Sequence, residues 1–249
     1  MCPPRLRVPT NLSLQDRDGN AGPGLSFTAT RETTMSDEIT PKLLKQLAKI
    51  DTPTICNTMD VLDIEQAGRG FITQPFVCVD PRAKPIVGFA KTATCRAVEP
   101  SSMSSAEATK LREAYWDYMA SSPAPSICIM QVLDGERAGF GAMWGEVNSN
   151  LHKALGCLGL VTNGSIRDID MWAPGFQAIA GLIGPSHAHV HYVDFGGDVQ
   201  VLGMWVKDGD LIHADGHGAV VIPADIAHRI PETMAMQARR EKVILDACK

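Results

Sequence analysis

The sequence predicts an α/β fold in which helices pack on a central sheet, followed by a β-rich section and a long C-terminal helix. Three patterns carry this prediction. Two proline-led helical segments occupy residues 40–62, and short apolar runs typical of buried strands lie at 126–133 and 158–162. Residues 188–223 contain short alternating segments between turns. With 249 residues and 45% hydrophobic content, the chain can bury a sizeable core.

The first 34 residues are expected to be a disordered leader. They are rich in proline and glycine and show almost no apolar periodicity. Met35 begins an ordinary start sequence, so residues 1–34 could be an in-frame extension. Three acidic residues within them argue against a transit peptide. A single folded domain is therefore predicted over residues 35–249.

Helix start signals open the predicted domain. Thr40-Pro41 places a threonine at the N-cap and a proline at the first helical position, and Thr52-Pro53 repeats the signal. These two helices are expected to cover a sheet or to form a subunit contact. A further helix is predicted from Ser104 to about Met119, with Glu107 available for a capping box.

Strands are expected on both sides of the central segment. Residues 85–95 alternate loosely, and residues 126–133 form the clearest buried strand. Residues 188–195 alternate as a strand, and shorter strands separated by turns follow over 199–223. Residues 224–247 read as one long helix with many charged side chains.

The central segment contains the candidate functional residues. A helix is predicted over about 146–155, then a buried strand over 158–162 that ends in a turn at 163–164. A helix followed by a parallel strand brings the start of the helix near the end of an adjacent strand. Glu146 and the pair Arg167-Asp168 are therefore expected to converge.

The residue types at this point suggest a metal and an acidic substrate. Two carboxylates suit a hard divalent cation, and an adjacent guanidinium suits a substrate carboxylate. Simpler interpretations stay open on spacing alone. Arg167-Asp168 could be a local salt bridge, and Glu146 could only favour the helix dipole as an acid in the first turn.

Composition argues against several classes of protein. The net charge of −5 and the pI near 5.8 give no basic surface for nucleic acid, although an acidic protein can still bind another protein. No apolar run is long enough to span a membrane. Seven scattered cysteines without a C-x-x-C pair argue against a disulfide framework or a zinc site. A reducing cytoplasm is the expected location.

Histidines, tryptophans and cysteines elsewhere are interpreted mainly as structural. His187, His189 and His191 would share one face of the strand predicted over 188–195 and the residue before it. Three histidines on one strand do not easily reach one ion, so a polar inner face or subunit contact is favoured over a metal site. The tryptophans and cysteines are expected to pack in the core, although Trp144 could border a pocket.

Taken together, several segments resemble the RraA-like family, which includes the bacterial regulator of ribonuclease activity A and class II aldolases that cleave 4-hydroxy-4-methyl-2-oxoglutarate. The resemblance covers about residues 40–245. It is carried by the order and spacing of residues 87–94, 144–146, 159–168, 208–210 and 217–223. It implies a swivelling β/β/α fold and a homotrimer or homohexamer with active sites between subunits.

The resemblance also implies a Mg²⁺ or Mn²⁺ site that works on pyruvate-like 2-oxo acids. Asp168 would ligate the metal, and Glu146 would hold it through a water molecule. Arg167 would bind the 2-oxo acid, whose carboxylate would accept hydrogen bonds from the backbone N–H groups of Val147 and Asn148. These residues form the predicted catalytic and binding set.

One position departs from the family pattern. Many aldolases of the group carry an acid three residues after the aspartate, where this chain has Met171. Asp170 is adjacent and could substitute for that acid. The departure bears on the water network around the metal, and therefore on the substrate.

The predicted function is a divalent-metal-dependent lyase that cleaves a C–C bond beside a 2-oxo acid through a pyruvate enolate. A divalent cation stabilises the enolate charge as a Lewis acid, Arg167 adds a fixed positive charge, and Glu146 serves the proton transfer. Oxaloacetate decarboxylation passes through the same enolate. The alternative is a non-catalytic RraA-type protein that binds and regulates a ribonuclease or helicase. The complete set of Glu146, Arg167 and Asp168 favours the enzyme.

Overall fold

The computed structural model describes residues 39–63 and 68–249. The predicted leader over residues 1–34 lies outside the described residues, so the leader and the single-domain boundary at residue 35 stay predictions. Within the described ranges, no helix is both long and apolar enough to cross a membrane.

The described chain contains six α-helices and eleven strands. In chain order they are α1 (Pro41–Leu47), α2 (Thr52–Leu62), β1 (Val77–Cys78), β2 (Ile86–Arg96), α3 (Ser105–Ala120), β3 (Ser126–Val132), β4 (Ala142–Trp144), α4 (Glu146–Ala154), β5 (Cys157–Ile166), β6 (Gln177–Ile183), β7 (His191–Phe195), β8 (Val199–Val201), β9 (Met204–Val206), β10 (Leu211–Asp215), β11 (Gly218–Ile222), α5 (Ala224–Ala227) and α6 (Ile230–Ala247).

Nine of the described strands form one mixed sheet. The order is β1-β6-β5-β3-β2-β10-β11, with β4 paired to β5 and β7 paired to β2. Strands β2, β3, β5 and β6 run parallel, whereas β1, β7, β10 and β11 join antiparallel. The predicted parallel core and the β-rich section after it are therefore both present, and they share one sheet.

The core lies on both faces of this sheet. Along β3, Cys128 and Met130 face a cluster that includes Tyr115 and Met119 of α3, because alternate strand residues point to opposite faces. Residues 127 and 129 face the hairpin β8–β9 instead. Helices α1, α2 and α6 pack against β2, β10 and β11 in a third cluster. The second face of the parallel strands is thus covered by a hairpin and not by helices.

The predicted helix starts are confirmed, with one shift. The Thr40 hydroxyl accepts the Leu43 N–H at 3.2 Å and caps α1. At α2 the cap is Asp51, one residue before the predicted Thr52, and its carboxylate accepts the Thr54 N–H at 2.8 Å. An aspartate is as good an N-cap as a threonine, and it takes the cap position here.

The turn predicted at residues 163–164 is wrong, because β5 continues through Ile166. Between Thr162 and Ser165 the register against β6 slips by one residue, which is a β-bulge. Asn163 stabilises the bulge through its side chain, which accepts the Val132 N–H at 2.7 Å and donates to the Val132 carbonyl at 3.1 Å. The Asn-Gly pair therefore serves a bulge inside a strand and not a turn after it.

The strand predicted over residues 188–195 begins later, at His191. Ala188 adopts a left-handed backbone with φ of +49°, so the chain turns before the strand starts. His187 and His189 lie in the turn and do not share a strand face with His191. The premise of a one-strand histidine site is therefore wrong.

Two further differences concern the second half of the chain. Strand β6 was not predicted, because its sequence contains alanine and glycine and lacks clear alternation. The long C-terminal helix is present but starts at Ile230, since α5 ends at Ala227. Pro231 occupies the first turn of α6, where its missing N–H costs nothing, and it cannot sit inside a continuous helix from residue 224.

Candidate functional site

The candidate site forms where α4 begins and β5 ends. Gly145 is the N-cap residue of α4, and it has no side chain to occupy this space. A Cβ atom at Gly145 would lie 2.3 Å from Oδ2 of Asp168 and 3.1 Å from Cγ of Arg167. Glycine at this position therefore allows the Arg167-Asp168 pair to approach the start of the helix.

Asp168 contacts both of the other predicted site residues, Glu146 and Arg167. Its Oδ2 accepts the Glu146 N–H at 3.3 Å and lies 3.2 Å from Nε of Arg167. The side chains of Arg167 and Asp168 are 30% and 24% exposed, so a ligand can reach both. The structure thus brings Glu146, Arg167 and Asp168 together, and the local ion pair considered from the spacing is part of that arrangement.

The backbone of Asp168 is unusual. Its φ of +53° places it in the left-handed region, which few residues other than glycine adopt. Such a conformation costs on the order of 1 kcal/mol or more and often marks a functional position. The Met171 N–H donates to the Asp168 carbonyl at 2.9 Å and closes the short 3₁₀ turn that follows.

Arg167 is fixed by contacts on three sides. Its backbone N–H donates to the Trp144 carbonyl at 2.9 Å, and its carbonyl accepts the Trp172 indole N–H at 2.7 Å. Nη1 donates a long hydrogen bond of 3.5 Å to the Pro185 carbonyl. The buried tryptophans thus hold the backbone while part of the guanidinium stays available to a ligand.

The first turn of α4 presents free donors. In the described part of the chain, no hydrogen-bond acceptor faces the backbone N–H groups of Val147 and Asn148, whereas the Ser149 N–H already bonds to the Gly145 carbonyl at 3.0 Å. Unpaired N–H groups and the helix dipole together favour an anion at this point. This is the predicted position of the substrate carboxylate.

Glu146 contributes differently from the expectation. Its backbone N–H contacts Asp168, but its carboxylate is exposed and makes no hydrogen bond within the described residues. Asp170 and Met171 are also exposed, and Met171 keeps 54% of its surface in solvent. The position that is often acidic in the family therefore contributes an apolar surface beside Asp168.

Asp168 has a free oxygen that could bind a divalent cation. Oδ1 of Asp168 makes no hydrogen bond to the described residues, so it is available as a ligand. Residues 39–63 and 68–249 contain no cluster of three or more histidine, cysteine or acidic side chains arranged for a metal ion. A cation such as Mg²⁺ binds through one or two carboxylates and keeps several water molecules. Asp168 with the nearby Glu146 fits such a water-rich site.

A buried Tyr-His pair supports α4 and was missed from the sequence. The Tyr115 hydroxyl lies 2.8 Å from Nε2 of His152, and Nδ1 of His152 lies 2.7 Å from the Asn148 carbonyl. Burial lowers the pKa of His152 to about 4, so the ring is neutral at pH 7. The Asn148 carbonyl is an acceptor, so Nδ1 carries the proton and Tyr115 donates to Nε2. The only sequence signal was the four-residue spacing from Asn148 to His152.

Exposed apolar side chains surround the candidate site. Phe140, Val147, Met171, Leu182 and Ile183 each keep at least half of their surface in solvent. Ile183 pairs with the last residue of β5, directly before Arg167. These five residues, the apolar patch, lie on segments that meet at the same edge of the sheet. Several exposed apolar side chains on neighbouring segments favour a protein–protein contact.

Comparison with solved structures shows the fold. An uncharacterized protein from Pseudomonas syringae pv. tomato str. DC3000 is similar, with a TM-score of 0.64 and 21% identity over 84% of this chain and 89% of that chain. RraAS2 of Streptomyces coelicolor, described as an unusual member of the RNase ES inhibitor RraA protein family, has a TM-score of 0.63 and 20% identity over 82% and 96%. At these identities the likeness concerns the fold alone, and it confirms the predicted RraA-like architecture.

A comparison with curated proteins found no match. The family model described as RraA-like, Aldolase/RraA, matches residues 52–221. This range contains the parallel core, the candidate site and the antiparallel strands, and it is well over half of the chain. The chain therefore belongs to the RraA-like family.

Proposed function

We propose that this protein is a divalent-metal-dependent lyase that cleaves a C–C bond beside a 2-oxo acid. The observation that carries the proposal is the convergence of Arg167, Asp168 and the first turn of α4 around one accessible point. The RraA-like family includes aldolases and decarboxylases as well as ribonuclease inhibitors. An exposed carboxylate, a guanidinium and free backbone donors are the groups that the enzyme class needs.

The substrate would bind through two kinds of donor. Its carboxylate accepts the N–H groups of Val147 and Asn148, and its 2-oxo oxygen faces the free N–H groups of Arg167. Asp168 would hold Mg²⁺ or Mn²⁺ directly and Glu146 would hold it through water, and the bound cation supplies Lewis-acid stabilisation of negative charge. Glycine at residue 145 leaves the room for this arrangement.

The bond cleavage is a retro-aldol step for a substrate such as 4-hydroxy-4-methyl-2-oxoglutarate. The C4 hydroxyl loses its proton, the C3–C4 bond breaks, and C4 becomes the carbonyl of one pyruvate. The electron pair moves to C3 and forms the enolate of the second pyruvate, whose oxygen faces Arg167. The Glu146 carboxylate, which is exposed and makes no hydrogen bond within the described residues, would carry the proton from the hydroxyl to C3. Oxaloacetate would lose CO₂ through the same enolate.

The apolar patch supports an assembly in which a second subunit closes the site. A homotrimer or homohexamer would bury Leu182 and Ile183, which are otherwise half exposed beside Arg167. Family members are oligomeric, and the patch is a surface of the described residues that suits the contact. We expect the assembly in the cytoplasm, with neither nucleic acid nor membrane as a partner.

A second candidate is a non-catalytic regulator that binds a ribonuclease or helicase. The observation that favours it is the similarity of fold to the Streptomyces protein, which is described as a member of an RNase inhibitor family. The apolar patch could then contact an enzyme partner. The Glu146, Arg167 and Asp168 set is not required for that role, and its convergence favours the lyase.

Pyruvate release from oxaloacetate tests the proposal. We expect the purified full-length protein to release pyruvate with Mg²⁺ or Mn²⁺, to stop with chelator, and to recover when metal is returned. Asp168→Asn should lose this activity, whereas Asp117→Asn, at an exposed position on α3, should keep it. Activity that survives both chelator and Asp168→Asn would overturn the metal-dependent lyase. No activity with metal present would favour the regulator, and a pull-down for protein partners would follow.

A further inference from the structure

A cavity beside α4 is not used by the chemistry proposed above. It measures about 280 Å³, and Met143 and Asn148 line one side of it. Arg112 of α3 together with His187 and His191 lines the other side. Asn148 also supplies one of the free N–H groups of the first turn of α4, and it lies only about 3 Å along the helix axis from Glu146. The cavity and the candidate site therefore share Asn148.

The loop of residues 184–190 links the two places. Its Pro185 carbonyl accepts from Arg167, and its Ser186 carbonyl accepts the Ala142 N–H at 2.8 Å. The next residue, His187, lines the cavity. One short loop thus contacts the guanidinium of the candidate site at one end and carries a cavity side chain at the other.

This loop is held in a defined position. Gly141 permits a close approach, because a Cβ atom there would lie 2.5 Å from the His187 carbonyl oxygen and 3.1 Å from Cβ of Ala188. Ala188 keeps its left-handed backbone, and the His189 N–H donates to the Ala97 carbonyl at 3.0 Å. A strained conformation persists only where the surroundings enforce it. The position of the His187 side chain beside the cavity is therefore set by packing against residue 141.

The polar side chains of the cavity suit an anion. Arg112 carries a permanent positive charge and stacks over Trp116, with 5.4 Å between the guanidinium carbon and the ring centre. His191 donates its Nδ1 proton to the His189 carbonyl at 2.7 Å, which leaves Arg112 and His187 as the donors for an anion. Among the described residues that line the cavity, none is an aspartate or a glutamate. Basic groups without an acidic neighbour favour a carboxylate.

We propose that this cavity binds the distal carboxylate of a 2-oxo dicarboxylic acid whose 2-oxo end lies at Arg167 and Asp168. Arg112 and His187 are the residues that select for the second carboxylate. The inference rests on the proposed function, since it places the far end of the same substrate in the cavity, past the loop whose Pro185 carbonyl contacts Arg167. The apolar walls accommodate the carbon chain between the two ends.

Two probes that differ only in the distal group test the proposal. Titration calorimetry on the full-length protein with Mg²⁺ compares 2-oxoglutarate with 2-oxopentanoate, which has the same carbon chain but no distal carboxylate. We expect 2-oxoglutarate to bind about tenfold tighter or more, as a charge-assisted hydrogen bond would give. The double variant Arg112→Gln, His187→Gln should lose this preference. Both side chains are exposed, so the fold should survive.

Lys110→Gln is the matched control, because Lys110 is exposed on the same helix and does not line the cavity. It should keep the preference for 2-oxoglutarate. Equal affinity of the wild type for the two probes, or a preference that survives in the double variant, would overturn the proposal.

Deuterium exchange into the methyl group of pyruvate, followed by NMR, separates this test from that of the proposed function. Pyruvate has no distal carboxylate, so its exchange reports enolate formation at the candidate site alone. Exchange without a preference for 2-oxoglutarate would overturn the cavity proposal and leave the lyase standing. A preference without exchange would support the cavity and overturn the lyase.

Discussion

The backbone N–H of Glu146 lies 3.3 Å from Oδ2 of Asp168, so the first residue of α4 contacts the chain just beyond the strand that follows that helix. The carboxylate of Asp168 therefore caps the helix from outside its own sequence. The same carboxylate pairs with Arg167 at 3.2 Å. A change at Glu146, Arg167 or Asp168 should therefore alter the positions of the other two residues.

Asp168→Asn should lower turnover of oxaloacetate by about 100-fold or more, because it replaces a charged oxygen ligand with a neutral one. Binding of Mn²⁺, followed by electron paramagnetic resonance, should weaken in parallel. Asp117→Asn serves as the control. Wild-type affinity for Mn²⁺ in the Asp168 variant would show that this carboxylate is not a ligand.

Arg167→Lys keeps the positive charge but loses the planar fork that binds an oxyanion through two hydrogen bonds. We expect KM for oxaloacetate to rise by about tenfold, and kcat to fall as well, because the guanidinium also faces the enolate oxygen. Steady-state kinetics separates the two effects. An unchanged KM would place the substrate carboxylate elsewhere.

Gly145→Ala should reduce activity strongly while costing little stability. The added Cβ would displace the Asp168 carboxylate and break its hydrogen bond with Glu146, a loss of about 1 kcal/mol. Gly197→Ala is the matched control, since nothing lies within 4 Å of a Cβ at Gly197. Activity assays and urea unfolding of both variants are the measurements. Full activity in Gly145→Ala would mean that the site tolerates a shifted Asp168.

Acid should destabilise the protein partly through His152. Its pKa is lowered from 6.5 to about 4 in the folded state, so the unfolded chain binds a proton in this range that the folded chain does not. Stability is therefore lost as pH falls from about 6.5 toward 4, by up to roughly 3 kcal/mol from this residue. Urea unfolding at pH 7 and pH 4.5 measures the loss.

His152→Gln is the comparison for that measurement. The variant is expected to be less stable than wild type at pH 7, because the pair with Tyr115 is changed, but the difference should shrink at pH 4.5. Burial also lowers the pKa of His213, which remains in both proteins and cancels in the comparison. A difference that stays constant with pH would show that His152 titrates normally in the folded state.

Ile183→Asp should disrupt assembly, because it places a charge in the apolar patch beside Arg167. Light scattering should show the wild type well above the chain mass of 26.8 kDa and the variant shifted toward it. Leu245→Asp, at an exposed apolar position on α6 outside the patch, should leave the mass unchanged. A monomeric wild type with full activity would show that the active site does not need a second subunit.

Local signals in the sequence predicted local structure well. The capping box at α3 is present, with the Ser104 N–H donating to Glu107 at 2.8 Å and the Glu107 N–H donating to the Ser104 hydroxyl at 3.3 Å. Both partners lie within one helical turn, so no tertiary information is needed. Strand β3 was equally clear, because both of its faces are buried and its residues are almost continuously apolar.

Structure that depends on distant partners was predicted less well. The bulge in β5 depends on the contact of Asn163 with Val132, thirty-one residues away. An Asn-Gly pair without that information predicts a turn. The approach of Glu146 to Asp168 followed from the order of helix and parallel strand. The sequence did not predict that Glu146 contacts Asp168 through its backbone N–H while its carboxylate stays in solvent. The reason is that the sequence does not define the direction of a side chain at the start of a helix.

The bulge within β5 has a consequence for how the chain can vary. Side chains along a strand alternate between faces, so one extra residue reverses every later one. The slip between Thr162 and Ser165 therefore decides on which face Arg167 emerges. A substitution within this strand leaves the direction of Arg167 unchanged, whereas deletion of one residue between Thr162 and Ile166 would turn the guanidinium away from α4. Among relatives that use this site, the length of the interval should be constrained more tightly than its composition.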